Sequence, residues 1–136
     1  MPTDPADIVA QVLLGEAANQ GPEGLTMVAD TMFNRAKAGK KTLEQVATAP
    51  AQFSAASRPD LAKFYATQPP ALQDLATLLV QERRHPEFTP KYTTQHYVTA
   101  DLWDKRGTLP AKHWLHRMEK IGAVGDHVLL QETPRK

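Results

Sequence analysis

Apolar positions in the first two thirds of the chain recur every three or four residues, which predicts a series of amphipathic helices. The first is expected from about Pro5 to Asn19. Asp4 can cap its free N–H groups, and Pro5 is well tolerated in a first helical turn. Gly21-Pro22 then ends this helix and can begin the next one.

The second helix is predicted to continue to about Ala38 and to end at Gly39. Its apolar residues fall at helical spacing and form one continuous face. This face consists of Leu25, Val28, Ala29, Met32, Phe33 and Ala36. Because Met27 and Thr31 lie on the other side, we expect the helix to be covered on two faces and to be central to the domain.

Three further helices are indicated before residue 85. Thr42 and Gln45 fit a capping box, and the short helix that they begin must end before Pro50. Residues 60–66 can form one or two more helical turns. Residues 70–84 form an amphipathic pattern. Its core face is predicted to contain Leu72, Leu75, Ala76 and Leu79.

The pattern changes in the C-terminal half. Residues 91–99 are rich in Tyr, Thr and Val, which favours a strand, and residues 128–130 are a second short strand candidate. The stretch between them is expected to be mostly loop or short helix. The predicted fold class is therefore α+β, with helices first and a small antiparallel sheet in the C-terminal half of a single domain spanning residues 1–136.

Composition removes several classes of function. A length of 136 residues suits one domain, and the net charge of +1 argues against a nucleic-acid-binding protein, which normally has a large basic excess. The chain has no cysteine, which excludes disulfides, cysteine nucleophiles and thiolate zinc sites. No apolar run approaches the roughly 18 residues of a membrane span. We expect a monomer without nucleic-acid or membrane partners.

Glu16 occupies an unusual position on the first helix. With about 100° between successive helical residues, the apolar arc runs from Ile8 through Val12 and Val9 to Leu13, over about 140°. Glu16 falls inside this arc, and the cost of desolvating a carboxylate there is expected to raise its pKa. Such a carboxyl group is suited to general acid catalysis near neutral pH. The alternatives are that Glu16 pairs with an arginine such as Arg35, or that it reaches solvent at the helix end.

Several short motifs occur in a recognisable order along the chain. They are Gly15-Glu16-Ala17-Ala18, Gly21-Pro22-Glu23-Gly24, Asn34-Arg35, Gln52-Phe53-Ser54, His96-Tyr97, Trp114, Met118, Ile121-Gly122 and His127. Together the motifs resemble the SleB-type cell-wall hydrolase family, which includes the spore-cortex-lytic enzymes. The resemblance covers nearly the whole chain, residues 8–131.

This resemblance implies a mainly helical, lysozyme-like domain related to resuscitation-promoting factors. It also implies a lytic transglycosylase or muramidase that needs no cofactor and cleaves peptidoglycan glycan strands between N-acetylmuramic acid and N-acetylglucosamine. The catalytic glutamate of the family corresponds to Glu16. The residues expected to bind or orient substrate are Gln52, Ser54, Asn34, His96, Tyr97 and Trp114.

Each expected substrate contact has an alternative. Gln52 and Ser54 suit hydrogen bonds to N-acetyl and hydroxyl groups, but their loop can instead serve only to pack Phe53. Tyr97 and Trp114 can stack on sugar rings or simply contribute to the core. Asn34 lies off the apolar face of its helix and either orients substrate, supports the structure or faces water. The charge state of His96 is not predictable from the sequence.

Two departures from the family pattern concern mechanism and alignment. Many relatives have a second acidic residue four positions after the catalytic one, where this chain has Gln20. The remaining candidates for a second acid are Glu23, Asp30 and Asp101, and none has a spacing that places it beside Glu16. A transglycosylase route with one carboxylate and a 1,6-anhydro product is therefore favoured over hydrolysis. The spacing before His127 also looks longer than usual, and Leu129-Leu130 replace an aromatic ending.

Other functions are also compatible with the sequence. His113 and His116, with His96 or His127, have the residue types of a zinc site and suggest a metal-dependent amidase or peptidase, although a His-Glu-x-x-His motif is absent. A glycan-binding module without catalysis is the other alternative. It would use the basic residues Lys105, Arg106, Lys112, Arg117 and Lys120.

The first residues, Met1 to Pro5, lack the basic and apolar pattern of a signal peptide. A wall-degrading enzyme without an export signal is expected to be a bacteriophage lysin released from the host cytoplasm by a holin, a component of the virion, or an exported domain trimmed to its mature form.

Overall fold

The computed structural model describes residues 7–49 and 53–133, in which helices are followed by a small sheet. The helices are α1 (Ile8–Ala17), α2 (Gly21–Gly39), α3 (Leu43–Thr48), α4 (Leu61–Thr67), α5 (Pro70–Arg83) and α6 (Ala100–Asp104). The strands are β1 (His96–Thr99), β2 (Met118–Val124) and β3 (His127–Glu132). The predicted α+β class, mainly helical with an antiparallel sheet in the C-terminal half, is confirmed. No helix in the described ranges is both long enough and apolar enough to cross a membrane.

Helix α1 is shorter than predicted. It begins at Ile8 because the side chain of Asp7 accepts a hydrogen bond from the backbone N–H of Val9 at 2.8 Å, which caps the helix. The expected cap at Asp4-Pro5 lies outside the described residues. The α-helix ends at Ala17, and a 3₁₀ turn replaces the predicted continuation to Asn19.

Helix α1 is also the element around which the other helices pack, with contacts to α2, α3, α4 and α5. Its buried residues are Val9, Ala10, Val12, Leu13, Leu14 and Ala17. Ile8, expected on the core face, is 38% exposed, so the buried arc is rotated toward Ala10 and Leu14. Glu16 still projects from within this arc, between the angular positions of Val12 and Val9.

Helix α2 is covered on two faces, as predicted. Buried residues on its main apolar face include Leu25, Val28 and Met32, while Met27 and Thr31 are buried on the other side. Gly39 is the last helical residue, and Lys40 takes the left-handed conformation with φ of 53°. The predicted capping box of α3 is confirmed. Gln45 N–H donates to the Thr42 hydroxyl at 3.1 Å, and Thr42 N–H donates to the Gln45 side chain at 2.9 Å.

The sheet has the strand order β1-β3-β2 with both pairs antiparallel. Strand β1 is shorter than the predicted strand over residues 91–99. The expectation that the stretch between residues 99 and 128 is mostly loop or short helix is wrong for β2. This strand contains Glu119, Lys120 and Gly122, which have low strand propensity, and it forms by pairing with β3.

The two faces of the sheet contact different apolar groups. Tyr97 and Leu129, which are register partners, pack against the helices. The opposite face contributes to a smaller core, the sheet core, formed by Val98, Leu115, Val128 and Leu130. This alternation directs the side chain of Tyr97 toward α1.

The segment that leads into β1 is tied to α2 by side chains. The carboxylate of Asp30 accepts hydrogen bonds from the backbone N–H groups of Lys91 at 3.0 Å and Tyr92 at 2.9 Å. The amide of Asn34 donates to the carbonyls of Tyr92 at 2.8 Å and Thr94 at 2.9 Å. These bonds join residues about sixty positions apart in the sequence and set where β1 begins.

Candidate active site

The carboxylate of Glu16 lies half-buried at the C-terminal end of α1. One oxygen, Oε2, accepts hydrogen bonds from the Ser54 hydroxyl at 3.2 Å and the Ala55 N–H at 3.3 Å. The other, Oε1, accepts one from the Tyr97 hydroxyl at 3.4 Å. All three distances are slightly longer than the usual range for such bonds, so each hydrogen bond is weak. These donors hold the carboxylate in place, and its accessible side remains open to a further partner.

Gly15 allows the 3₁₀ turn Ser54–Ser57 to lie against α1. A Cβ atom at position 15 would be 2.6 Å from Ala55 Cβ and 3.0 Å from Leu61 Cδ1. The first distance is shorter than carbon atoms tolerate, so any larger residue would push the turn away. The glycine beside Glu16 therefore determines whether the donors of Ser54 and Ala55 reach its carboxylate.

Tyr97 connects Glu16 to the sheet. Its ring contacts the His127 imidazole edge to face, with 4.9 Å between ring centroids. Burial raises the pKa of Tyr97, and the negative charge of Glu16 raises it further. The phenol is therefore protonated at neutral pH, and it donates its hydrogen bond to Glu16 throughout the pH range in which enzymes usually work.

His127 is the ring that packs on Tyr97. Its Nδ1 atom is buried, and no described residue is hydrogen-bonded to it. Burial lowers the pKa of His127, although the charges of Asp126 and Glu16 act in the opposite direction. A neutral imidazole is consistent with this position.

Arg35 and His96 lie at the edge of the site. Arg35 Nε donates to the Gln95 carbonyl at 2.5 Å, and its Nη2 lies 3.5 Å from His96 Nδ1. Burial lowers the pKa of Arg35, whereas the nearby Glu16 and Tyr97 raise it. Burial and then the charge of Arg35 lower the pKa of His96. The charge of Glu16 therefore acts on Arg35, which the sequence had suggested as an ion-pair partner of Glu16.

Trp114 lies at the surface rather than in the core, with 36% of its area exposed. Its ring stacks with His113, with 5.7 Å between centroids and 26° between planes. It also meets His96 at 5.6 Å with a tilt of 42°. The three rings make a partly exposed aromatic surface next to Arg35, and the flat faces of such rings suit the C–H surface of a sugar.

The residues expected to bind substrate are distributed unevenly. Ser54 and Tyr97 contact Glu16 directly, and His96 precedes Tyr97 on β1. The Asn34 amide donates its hydrogen bonds to backbone carbonyls, so its observed contacts are structural. Gln52 lies outside the described residues.

Two grooves lie beside the site. One, of about 410 Å³, is lined by Gly15, Ala18, Asn19, Phe64 and Gln68. The other, of about 420 Å³, is lined by Arg35, Ala38, Gly39, Lys41, Val46, Ala49, Gln95 and His96. We call the first the neutral groove, because its lining has no ionisable side chain, and the second the cationic groove.

The carboxylates considered as a second acid have other partners. Glu23 binds the ammonium group of Lys91 at 3.0 Å and accepts a hydrogen bond from the Tyr92 hydroxyl. Asp30 is ion-paired with Arg83. Asp101 forms a surface ion pair with Lys105 at 3.2 Å. None of these contacts involves Glu16.

The histidines do not assemble into a metal site. Within residues 7–49 and 53–133, no group of three or more His, Cys, Asp or Glu side chains is arranged to hold a metal ion. The Nδ1 atom of His113 instead accepts a hydrogen bond from Leu115 N–H at 3.1 Å. In the basic segment, Lys105 is paired with Asp101, and Arg106 stacks over the Trp103 ring at 4.1 Å.

Some features of the site could not be predicted from the sequence. The Ala55 donor is a backbone group, and its use depends on the approach of a distant turn. His127 and Gly15 belong to the ordered motifs, but nothing in the pattern indicated contact of His127 with Tyr97 or the close approach at Gly15.

Comparisons of the chain with protein-family models, curated proteins and solved structures found no match.

Proposed function

We propose that this protein cleaves the glycan strands of bacterial peptidoglycan and that Glu16 is the general acid. The observation that carries the proposal is the half-buried carboxylate of Glu16, which accepts three long hydrogen bonds from Ser54, Ala55 and Tyr97. The ordered motifs that resemble SleB-type hydrolases supply the substrate class. Their catalytic glutamate corresponds to the residue that the geometry singles out.

The proposed reaction begins with a protonated Glu16. The carboxyl group gives its proton to the oxygen that bridges the two sugars, and the bond from this oxygen to C1 of the muramic acid breaks. The resulting carboxylate then takes the proton of the muramic acid C6 hydroxyl while that oxygen bonds to C1. The products are a 1,6-anhydro-muramic end and a new N-acetylglucosamine hydroxyl. The acid is regenerated without water.

The environment of Glu16 suits both protonation states. Hydrogen bonds from Ser54, Ala55 and Tyr97 stabilise the carboxylate form, which acts as the base in the second step. The hydroxyl groups of Ser54 and Tyr97 can also rotate to accept a hydrogen bond from the protonated carboxyl group. The three donors therefore keep the group in one place through the cycle.

A hydrolytic muramidase is the alternative outcome. Hydrolysis normally needs a second carboxylate that activates water or forms a glycosyl-enzyme. Glu23, Asp30 and Asp101 are each engaged elsewhere in the structure, which supports the route with a single carboxylate.

Digestion of purified peptidoglycan tests the proposal, with the released muropeptides identified by mass spectrometry. The wild type is expected to release 1,6-anhydro-muropeptides and Glu16→Gln to release none. Glu87→Gln, a matched change at an exposed glutamate, is the control and should keep activity. Products with reducing muramic ends would replace the transglycosylase by a muramidase. Release of no fragments by the wild type, with wall binding retained, would instead indicate a binding module.

A further inference from the structure

The cationic groove has a composition that the cleavage chemistry alone does not require. It lies between the end of α2, the end of α3 and the residues around the start of β1. Arg35 and Lys41 contribute positive charge, and His96 contributes an imidazole. No carboxylate is among the described residues that line the groove. Its volume of about 420 Å³ is in the range of small-molecule sites.

The cationic groove is connected to the catalytic carboxylate. Arg35 lines the groove, and its guanidinium lies over the ring of Phe53, 4.9 Å from the ring centroid. Phe53 directly precedes Ser54, whose hydroxyl donates to Glu16. A substrate bound across Glu16 can therefore place a substituent of the neighbouring sugar in this groove.

The neutral groove offers a different surface. It begins at Gly15 and is lined by the amides of Asn19 and Gln68 and the ring of Phe64. Amides and an aromatic ring suit an N-acetylated sugar without charge. The two grooves therefore differ in charge, and the two sugars of the proposed substrate differ in the same way, because only muramic acid has a lactyl substituent that ends in a carboxylate or a peptide.

We infer that the cationic groove binds the acidic lactyl substituent of muramic acid and that the neutral groove receives N-acetylglucosamine. This inference rests on the proposed function and adds to it the direction in which the glycan strand lies. Lys41 supplies an exposed ammonium group and Arg35 a half-buried guanidinium. A guanidinium that is partly removed from water interacts more strongly with a carboxylate than an exposed ammonium does.

Binding to the inactivated Glu16→Gln protein tests the inference, because the ligand is then not consumed. One probe is an N-acetylglucosamine–N-acetylmuramic acid tetrasaccharide with free lactyl carboxylates. The other is the same tetrasaccharide with these carboxylates converted to methyl esters. The free acid is expected to bind more tightly, and the preference should decrease as salt is added.

Lys41→Gln, made in the Glu16→Gln protein, tests whether the cationic groove is the binding site. Its exposed ammonium is expected to contribute up to about fivefold to the affinity for the free acid and nothing to the affinity for the ester. Lys63→Gln on α4 removes the same charge from another exposed position that lines neither groove and should change neither affinity. Because Lys41 is exposed, its replacement leaves the fold intact.

Three results would overturn the inference. Equal affinity for acid and ester would show that the lactyl carboxylate is not recognised, and the proposed function would stand. A preference for the acid that survives Lys41→Gln and Arg35→Gln would place recognition outside this groove. Binding of neither probe, while wild type also fails to digest peptidoglycan, would remove the proposed function together with the inference.

Discussion

Asp30 on α2 and Glu16 on α1 are carboxylates on neighbouring helices, and their surroundings differ sharply. Asp30 is 0% exposed. One of its oxygens accepts hydrogen bonds from Arg83 at 3.0 and 2.6 Å, and the other accepts from the N–H groups of Lys91 and Tyr92. Four donors at short distances leave no place for a substrate, so the contacts of Asp30 can only be structural.

Glu16 has fewer and weaker contacts. Its three donors lie at 3.2, 3.3 and 3.4 Å, and two of them are hydroxyl groups that can turn. The side chain is half-buried rather than enclosed. Under the proposed function, the comparison indicates that a catalytic carboxylate is positioned without being saturated with hydrogen bonds, whereas a structural carboxylate is saturated and closed off.

The largest effect on stability is expected from Asp30→Asn. The substitution keeps the shape of the side chain but leaves the buried guanidinium of Arg83 without a counter-charge, and such changes cost about 3–5 kcal/mol. Urea unfolding measures the loss. Asp74→Asn on the exposed side of α5 is the control and should be close to neutral. A loss of less than about 1 kcal/mol in the free energy of unfolding for Asp30→Asn would resemble an ordinary surface change and would contradict a structural role.

Gly15→Ala is expected to be next in size. The added methyl group would lie 2.6 Å from Ala55 Cβ, so the turn must move, at a cost of about 1–3 kcal/mol. Because the turn carries two donors to Glu16, activity should also fall. Gly107→Ala is the matched control, since its new methyl group would meet nothing within 4 Å. Unchanged unfolding and activity for Gly15→Ala would refute the close approach.

Tyr97→Phe removes one donor to Glu16 and preserves the ring that packs on His127. We expect a loss of about tenfold in turnover, or about 1.4 kcal/mol in the barrier, with little change in unfolding. Tyr92→Phe removes a hydroxyl that donates to Glu23 at the surface and should leave turnover unchanged. Equal turnover in both variants would exclude a role for the Tyr97 hydroxyl.

The pH dependence of stability is expected to be the smallest effect. Burial lowers the pKa of His96 and His127 below the ordinary value of 6.5, so the unfolded chain binds more protons than the folded one as the pH drops below 6.5. Their contribution to stability is therefore complete above pH 6.5 and declines below it. His127→Gln should flatten the slope of unfolding free energy between pH 7 and 5, whereas the exposed His116→Gln should not. An unchanged slope in His127→Gln would show that His127 does not contribute.

Local sequence signals predicted the helical part of the fold well. The capping box at Thr42 and Gln45 and the glycine-proline pair that begins α2 depend on residues close together in the chain, and both were confirmed. Strand β2 was missed because its residues have weak strand propensity and it exists through pairing with β3. The first helix was expected from about Pro5, whereas the N-cap of α1 is Asp7, a residue that the sequence pattern had not indicated.

The candidate site was predictable only in part, for the same reason. The helical projection identified Glu16 because the angular position of a residue follows from its own helix. The contacts of Glu16 with Ser54 and Tyr97 span 38 and 81 positions, and those of Asn34 span about 60, so they depend on tertiary packing. From the sequence, Asn34 was a candidate for substrate binding, whereas the observed hydrogen-bond partners of its amide are backbone carbonyls.

Parallel measurement of Glu16→Gln and Asp30→Asn tests the contrast between the two carboxylates most directly. For each variant, peptidoglycan cleavage per folded molecule is compared with the free energy of unfolding. Glu16→Gln is predicted to lose about a hundredfold to ten-thousandfold in cleavage with its unfolding nearly unchanged. Asp30→Asn is predicted to lose stability and to keep most of its cleavage per folded molecule. Full cleavage by a stably folded Glu16→Gln protein would contradict the account.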